Sequence, residues 1–84
     1  MAEDPNDFRL LGPVKRVRAI VRGLGVQMRG YLTENYGGRN WRKMKGVATV
    51  EDEYGWIGEA EVHWFEAHGV GRVKWKIKRR LHRS

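Results

Sequence analysis

The 84-residue chain is predicted to be a small α+β domain. An N-terminal helix, kinked near its middle, packs on an antiparallel β-meander of three to four strands. Three observations carry this prediction. Apolar residues recur at helical spacing from Val14 to Leu32. Two segments of alternating character come next, separated by turn residues. Last comes Arg72-Val73-Lys74-Trp75-Lys76-Ile77-Lys78-Arg79, which sets Val73, Trp75 and Ile77 on one side of a strand and cations on the other.

Residues 1–12 read as a flexible leader, with Phe8, Leu10 and Leu11 as a docking point, and residues 13–84 as a single domain. Gly12-Pro13 suits a helix start, since proline tolerates the first helical position. Val14, Val17, Ile20, Val21, Leu24, Met28, Tyr31 and Leu32 then form one stripe. Gly23, Gly25 and Gly30 weaken the helix, and Gly23-Leu24-Gly25 is where it is expected to kink. A competing reading makes Val17-Ala19-Val21 a short strand with Arg16 and Arg18 outward. Gly37-Gly38 ends the helix.

The first strand of the meander runs from Trp41 to about Glu51, with Met44, Gly46, Ala48 and Val50 on one face and Lys43, Lys45, Val47 and Thr49 on the other. Asp52-Glu53-Tyr54-Gly55 supplies a turn. A second strand runs from Trp56 or Ile57 to Phe65 or Glu66. Its Ala60, Val62 and Trp64 face one way, and Glu59, Glu61, His63 and Phe65 the other. Ala67 to Gly71 turns into the basic strand, and Arg79–Ser84 is expected to be a helical turn or frayed. A hairpin closed near residues 67–70 pairs Trp64 with Val73, Val62 with Trp75 and Ala60 with Ile77 beneath the helix. On the opposite face it pairs His63 with Lys74, Glu61 with Lys76 and Glu59 with Lys78.

Composition narrows the function. The core is small at this size, and four Trp, three Tyr and two Phe supply its bulk. There is no cysteine, and the three histidines lack zinc-site spacing, so no metal or cofactor is expected. No apolar run approaches the ~18 residues of a membrane span. The net charge of +7 is segregated: residues 13–50 carry +8, residues 51–66 carry −6 and residues 67–84 carry +7. A polyanion is the default partner for such a chain.

Cleavage of RNA without a metal needs a general base, a general acid and cations for the phosphorane. Glu61 and His63 are the candidates for proton transfer, with Lys74, Lys76, Arg72 and Lys78 for phosphate. Lys43 and Lys45 join them from the neighbouring strand. Arg39-Asn40-Trp41-Arg42-Lys43-Met44-Lys45, cations around an aromatic, is the best non-catalytic contact candidate. Cross-strand ion pairing explains the glutamates equally well as plain sheet design. His68, in a turn, and His82, in the tail, are weaker candidates.

The runs Trp41-Arg42-Lys43-Met44-Lys45-Gly46, Ala60-Glu61-Val62-His63-Trp64-Phe65-Glu66-Ala67-His68-Gly69 and Lys74-Trp75-Lys76-Ile77-Lys78-Arg79 resemble the C-terminal effector domains of bacterial polymorphic toxins. The order of elements is similar to the small ribonucleases grouped around barnase, EndoU, the tRNA-cutting colicins and the RelE toxins. This resemblance implies a metal-independent endoribonuclease with Glu61, His63, Glu66, Lys76 and Lys78 as the positions to test. The implied partners are RNA rather than DNA and an acidic immunity or antitoxin protein, with a cytoplasmic site of action. The alternatives are a non-catalytic nucleic-acid-binding module using the same face and a protein-interaction or immunity-type domain whose charged face meets an acidic partner. An exposed last strand also offers an edge for self-association.

Overall fold

The computed structural model describes residues 7–20 and 24–84. It corrects the predicted fold class: the chain is mostly antiparallel sheet, and its one short helix comes after two strands. β1 (Phe8–Leu10) and β2 (Lys15–Ala19) precede α1 (Val26–Tyr36). The meander β3 (Arg42–Asp52), β4 (Ile57–Ala67) and β5 (Gly71–Arg83) comes after it. The sheet order is β1-β3-β4-β5, with β2 also on β3.

The N-terminal correction has a physical cause. Val14, Val17 and Ile20 are β-branched and stiff at χ1, which favours extended backbone over helix. Without a neighbour, the outer edge of the 11-residue β3 would also leave its N–H and C=O groups unpaired. β1 covers one end of that edge, with Phe8 opposite Asp52 and Leu10 opposite Val50. β2 covers the other, with Lys15 opposite Val47 and Ala19 opposite Met44. The segment between them follows the same edge, with Leu11 N donating to Thr49 O, and Val14 packs over Gly46. A Cβ at Gly46 would lie 2.5 Å from Val14 Cγ1 and 3.2 Å from the Trp64 ring, so the close approach needs glycine. The expected kink includes Gly23, which lies outside the described residues. Leu24 is half-buried and Gly25 caps α1.

The alternation expected for β3 and β4 is observed. Met44, Ala48, Val50, Ala60, Val62 and Trp64 form the main core, with Phe8, Val14, Trp56, Trp75 and Ile77 packed at its margins. Trp64 is fully buried and stacks on Trp75 with ring centroids 4.6 Å apart. Truncating Trp64 to alanine would cost about 3–5 kcal/mol. The helix does not cover this core. Leu32, its buried residue, packs with Trp41 and Ala67, joined by Leu24, Phe65, Val70 and Val73. Phe65 and Ala67 alternate with Trp64, so α1 sits at one end of the opposite face.

β5 departs from its expected register. Lys74 adopts a left-handed backbone (φ 58°), and the ladder shifts between the pairs His63–Lys76 and Phe65–Val73. Such a bulge moves one extra residue into a strand and reverses the facing of the residues beyond it. Val73 therefore lies with Phe65 under the helix, while Trp75 and Ile77 lie in the main core. Further shifts bring Glu61 opposite Arg79 and Glu59 opposite His82. The segment Arg79–Arg83, expected to be helical or frayed, completes the strand. Among the described residues no helix is long and apolar enough to cross a membrane.

Candidate nucleic-acid interface

The face of the sheet opposite the main core carries the candidate site, and its register assembles it in rows. Arg18 on β2 lies opposite Lys45 on β3, Lys45 opposite His63 on β4, and His63 opposite Lys76 on β5. Beside it runs a second row: Lys15, Val47, Glu61 and Arg79. Neighbouring strands are about 4.8 Å apart, so each row spans roughly 14 Å. The helix and its apolar contacts close one end of this face at Phe65 and Val73.

Glu61 is the centre of the arrangement. Its Oε2 lies 2.7 Å from His63 Nε2, and its Oε1 accepts from Arg79 Nε at 3.2 Å. The hydrogen bond with His63, together with the charges of Arg79, His63 and Lys45, holds the Glu61 carboxyl below its ordinary value despite partial burial. His63 is only 7 % exposed, and its Nδ1 is buried with no hydrogen-bond partner among the described residues. Lys43 is half-buried on the same face. Burial first, and then the charges of Lys76 and Lys78, push its ammonium below the ordinary lysine value. A shallow cavity of about 230 Å³ opens between β2 and β3, lined by Arg16, Arg18, Lys45, Gly46, Val47 and Glu61.

The expected ion pairs are redistributed. Among the described residues the salt bridges join Arg9 to Glu51, Arg42 and Arg72 to Glu66, Arg79 and His63 to Glu61, and Arg80 to Asp52. No lysine takes part in one of these. Lys76 lies opposite His63 rather than Glu61, and Lys78 is not opposite Glu59. The ion pairs between the basic strand and β4 therefore fall to Arg79 on Glu61 and Arg72 on Glu66. Lys43, Lys45 and Lys76 are left without a carboxylate partner among the described residues.

Other candidates lie elsewhere. Arg72 belongs to the main-core face and not to the shared polar face: its guanidinium sits 4.9 Å over the Trp64 ring. There Glu66 accepts from Trp64 Nε1 at 2.8 Å and pairs with Arg72 and Arg42, which gives Glu66 a structural task. Lys74, at the bulge, lies over the Tyr31 ring of α1. Trp41 is buried against the helix, and its Nε1 donates to Gly37 O at 3.0 Å. His68 is exposed in the β4–β5 turn, and His82 is exposed in β5.

The fold also brings in residues that sequence pattern alone does not select. Arg79 belongs by pattern to the tail, and Lys15 and Arg18 to a helix surface. The competing strand with Arg16 and Arg18 outward is the signal for the last of these. Among the described residues no group of three His, Cys, Asp or Glu is placed to hold a metal ion. Comparison with protein-family models, with curated proteins and with solved structures finds no match to this chain.

Proposed function

We propose that this domain binds single-stranded nucleic acid, RNA before DNA, by laying phosphates along the lysine-rich sheet face. One observation carries the reading: arginines and His63 take up the paired carboxylates, and among the described residues no lysine forms an ion pair. A row of unpaired cations repels itself, and a polyanion relieves that repulsion while releasing its counterions. The face is an open sheet rather than a projecting helix, which suits an extended single strand better than a duplex groove. Phosphate contacts of this kind position a strand without reading its sequence.

The test is fluorescence anisotropy with a single-stranded RNA oligomer across a salt series, with matched DNA as a second arm. Lys45→Ala and Lys76→Ala are each expected to lower affinity and to flatten the log–log salt slope by about 0.7. Arg72→Ala, on the other face, should leave the slope unchanged. An absence of binding at low salt, or slopes insensitive to both lysines, overturns the reading.

A second reading, a metal-independent ribonuclease of the toxin type, is favoured by the 2.7 Å contact between Glu61 and His63 inside a cationic row. Burial of His63 weighs against it, because a general base must reach the 2′-hydroxyl. Incubation with total RNA in EDTA separates the two. Cleavage that is lost in His63→Ala supports the ribonuclease; an intact RNA pool with a salt-sensitive gel shift supports binding alone.

A further inference from the structure

The structure assigns a second anion site, a pocket for a phosphate monoester between the end of α1 and the start of β3. The pocket holds about 470 Å³ and is lined by Arg29, Thr33, Gly38, Arg39, Asn40, Trp41 and Arg42. Three arginines, a threonine and an asparagine are among the residues that line it, and none of the lining residues is acidic. The cavity beside the lysine rows, by contrast, contains Glu61, and the one near β1 is walled by Asp7, Glu51, Asp52 and Glu53.

Guanidinium is a planar fork that matches phosphate oxygens in a bidentate way. Arg42 is anchored at one end, its Nη2 donating to Glu66 Oε2 at 3.3 Å, and this holds its position at the rim. Trp41 is held by its bond to Gly37 O and forms a rigid wall. The loop adds further donors. Gly38 (φ 79°) and Asn40 (φ 55°) are left-handed, and among the described residues the amides of Gly38, Arg39 and Asn40 donate to no backbone carbonyl. Consecutive free amides in such a turn make an anion-binding concavity.

A helix C-terminus carries about half a negative charge, which opposes an anion. Here Thr33 O accepts from Gly37 N, and just beyond the helix Gly37 O accepts from Trp41 Nε1. Arg29 and Arg39, with Arg42 shared with Glu66, outweigh the remainder. The pocket lies apart from the lysine rows, so the inference goes beyond the reading given above and does not depend on it.

The ligand chemistry is a phosphate monoester, supplied either by a free nucleotide or by the 5′ end of a strand. Amide chemical shifts are followed while adenosine 5′-monophosphate, adenosine, or an oligonucleotide with and without a 5′-phosphate is added. The monophosphate, but not adenosine, is expected to move the Gly38, Arg39 and Asn40 signals. Arg39→Ala should weaken it roughly tenfold or more, while Lys45→Ala should not. If only the mononucleotide acts, the source is a small metabolite; if the 5′-phosphorylated strand gains affinity over its unphosphorylated form, the source is a strand end. Equal shifts with adenosine, or no response from either phosphate, overturn the assignment. Arg29→Gln serves as a second variant should Arg39→Ala fail to fold.

Discussion

Glu61 Oε2 and His63 Nε2 lie 2.7 Å apart in the middle of a sheet face otherwise crowded with cations. The carboxylate serves the fold by offsetting His63, Arg79 and the nearby Lys45. Replacing Glu61 with Gln is expected to lower stability by about 1–2 kcal/mol at neutral pH, read by urea unfolding. The same change adds net positive charge to the face and should steepen the salt dependence of RNA binding. Because the folded Glu61 carboxyl titrates below its unfolded value, its contribution is complete above about pH 4.3. It is lost as pH falls through the folded value.

Lys43 responds in the opposite sense. Its ammonium is disfavoured by burial and by Lys76 and Lys78, so at neutral pH its charge costs stability. That cost begins to fall as pH rises through its lowered folded value and is gone above the ordinary lysine value of about 10.4. Lys43→Gln should therefore raise the melting temperature slightly, by a few tenths of a kcal/mol in stability, while weakening RNA binding. A variant that loses both stability and affinity would show that Lys43 serves packing instead.

Asp52 ties the β3–β4 turn to β5. Its Oδ1 accepts from the backbone N–H of Tyr54 and Trp56, and its Oδ2 accepts from Arg80, whose guanidinium also covers the Trp56 ring. Burial alone pushes this carboxyl up, but the hydrogen bonds from Arg80, Trp56 and Tyr54 hold it below its ordinary value. The stabilisation is present above about pH 3.9 and is lost as pH falls through the folded value. Arg80→Gln should lower the melting temperature at pH 7. The gap from the wild type should narrow in melts taken between about pH 5 and pH 2.

The bulge at Lys74 gives a backbone test. A β-branched residue in the left-handed region is strained, at roughly 1–2 kcal/mol. Lys74→Val should destabilise by about that amount, whereas Lys74→Gly should be tolerated. Chemical denaturation of the two variants checks it; equal losses would mean that the side chain over Tyr31, and not the backbone, matters here.

Much of β3 and β4 was legible because a half-buried strand writes its two faces into consecutive residues. Met44, Ala48, Val50, Ala60, Val62 and Trp64 reach the core as their alternation predicts, and Lys43, Lys45, Glu59, Glu61 and His63 share the other face. The N-terminal third was misread because Val14, Val17 and Ile20 satisfy a helical stripe locally. The extended conformation of Lys15–Ala19 is settled by pairing with β3, some thirty residues later in the chain.

By itself, then, the sequence determined a small, strongly basic domain with a three-stranded meander and an acid–histidine pair on its polar side. Those properties derive from composition and period, which are local. Tertiary structure alone decided which cation meets which carboxylate. Arg72-to-Arg79 alternates in sequence, yet the left-handed turn of Lys74 sends Val73 and Trp75 to opposite faces, and a second shift, between the pairs Val62–Ile77 and Glu61–Arg79, puts Arg79 rather than Lys76 onto Glu61. A bulge depends on how three strands twist and pack together. For that reason the lysines without an ion pair among the described residues, on which the proposed function rests, emerge only in the folded sheet.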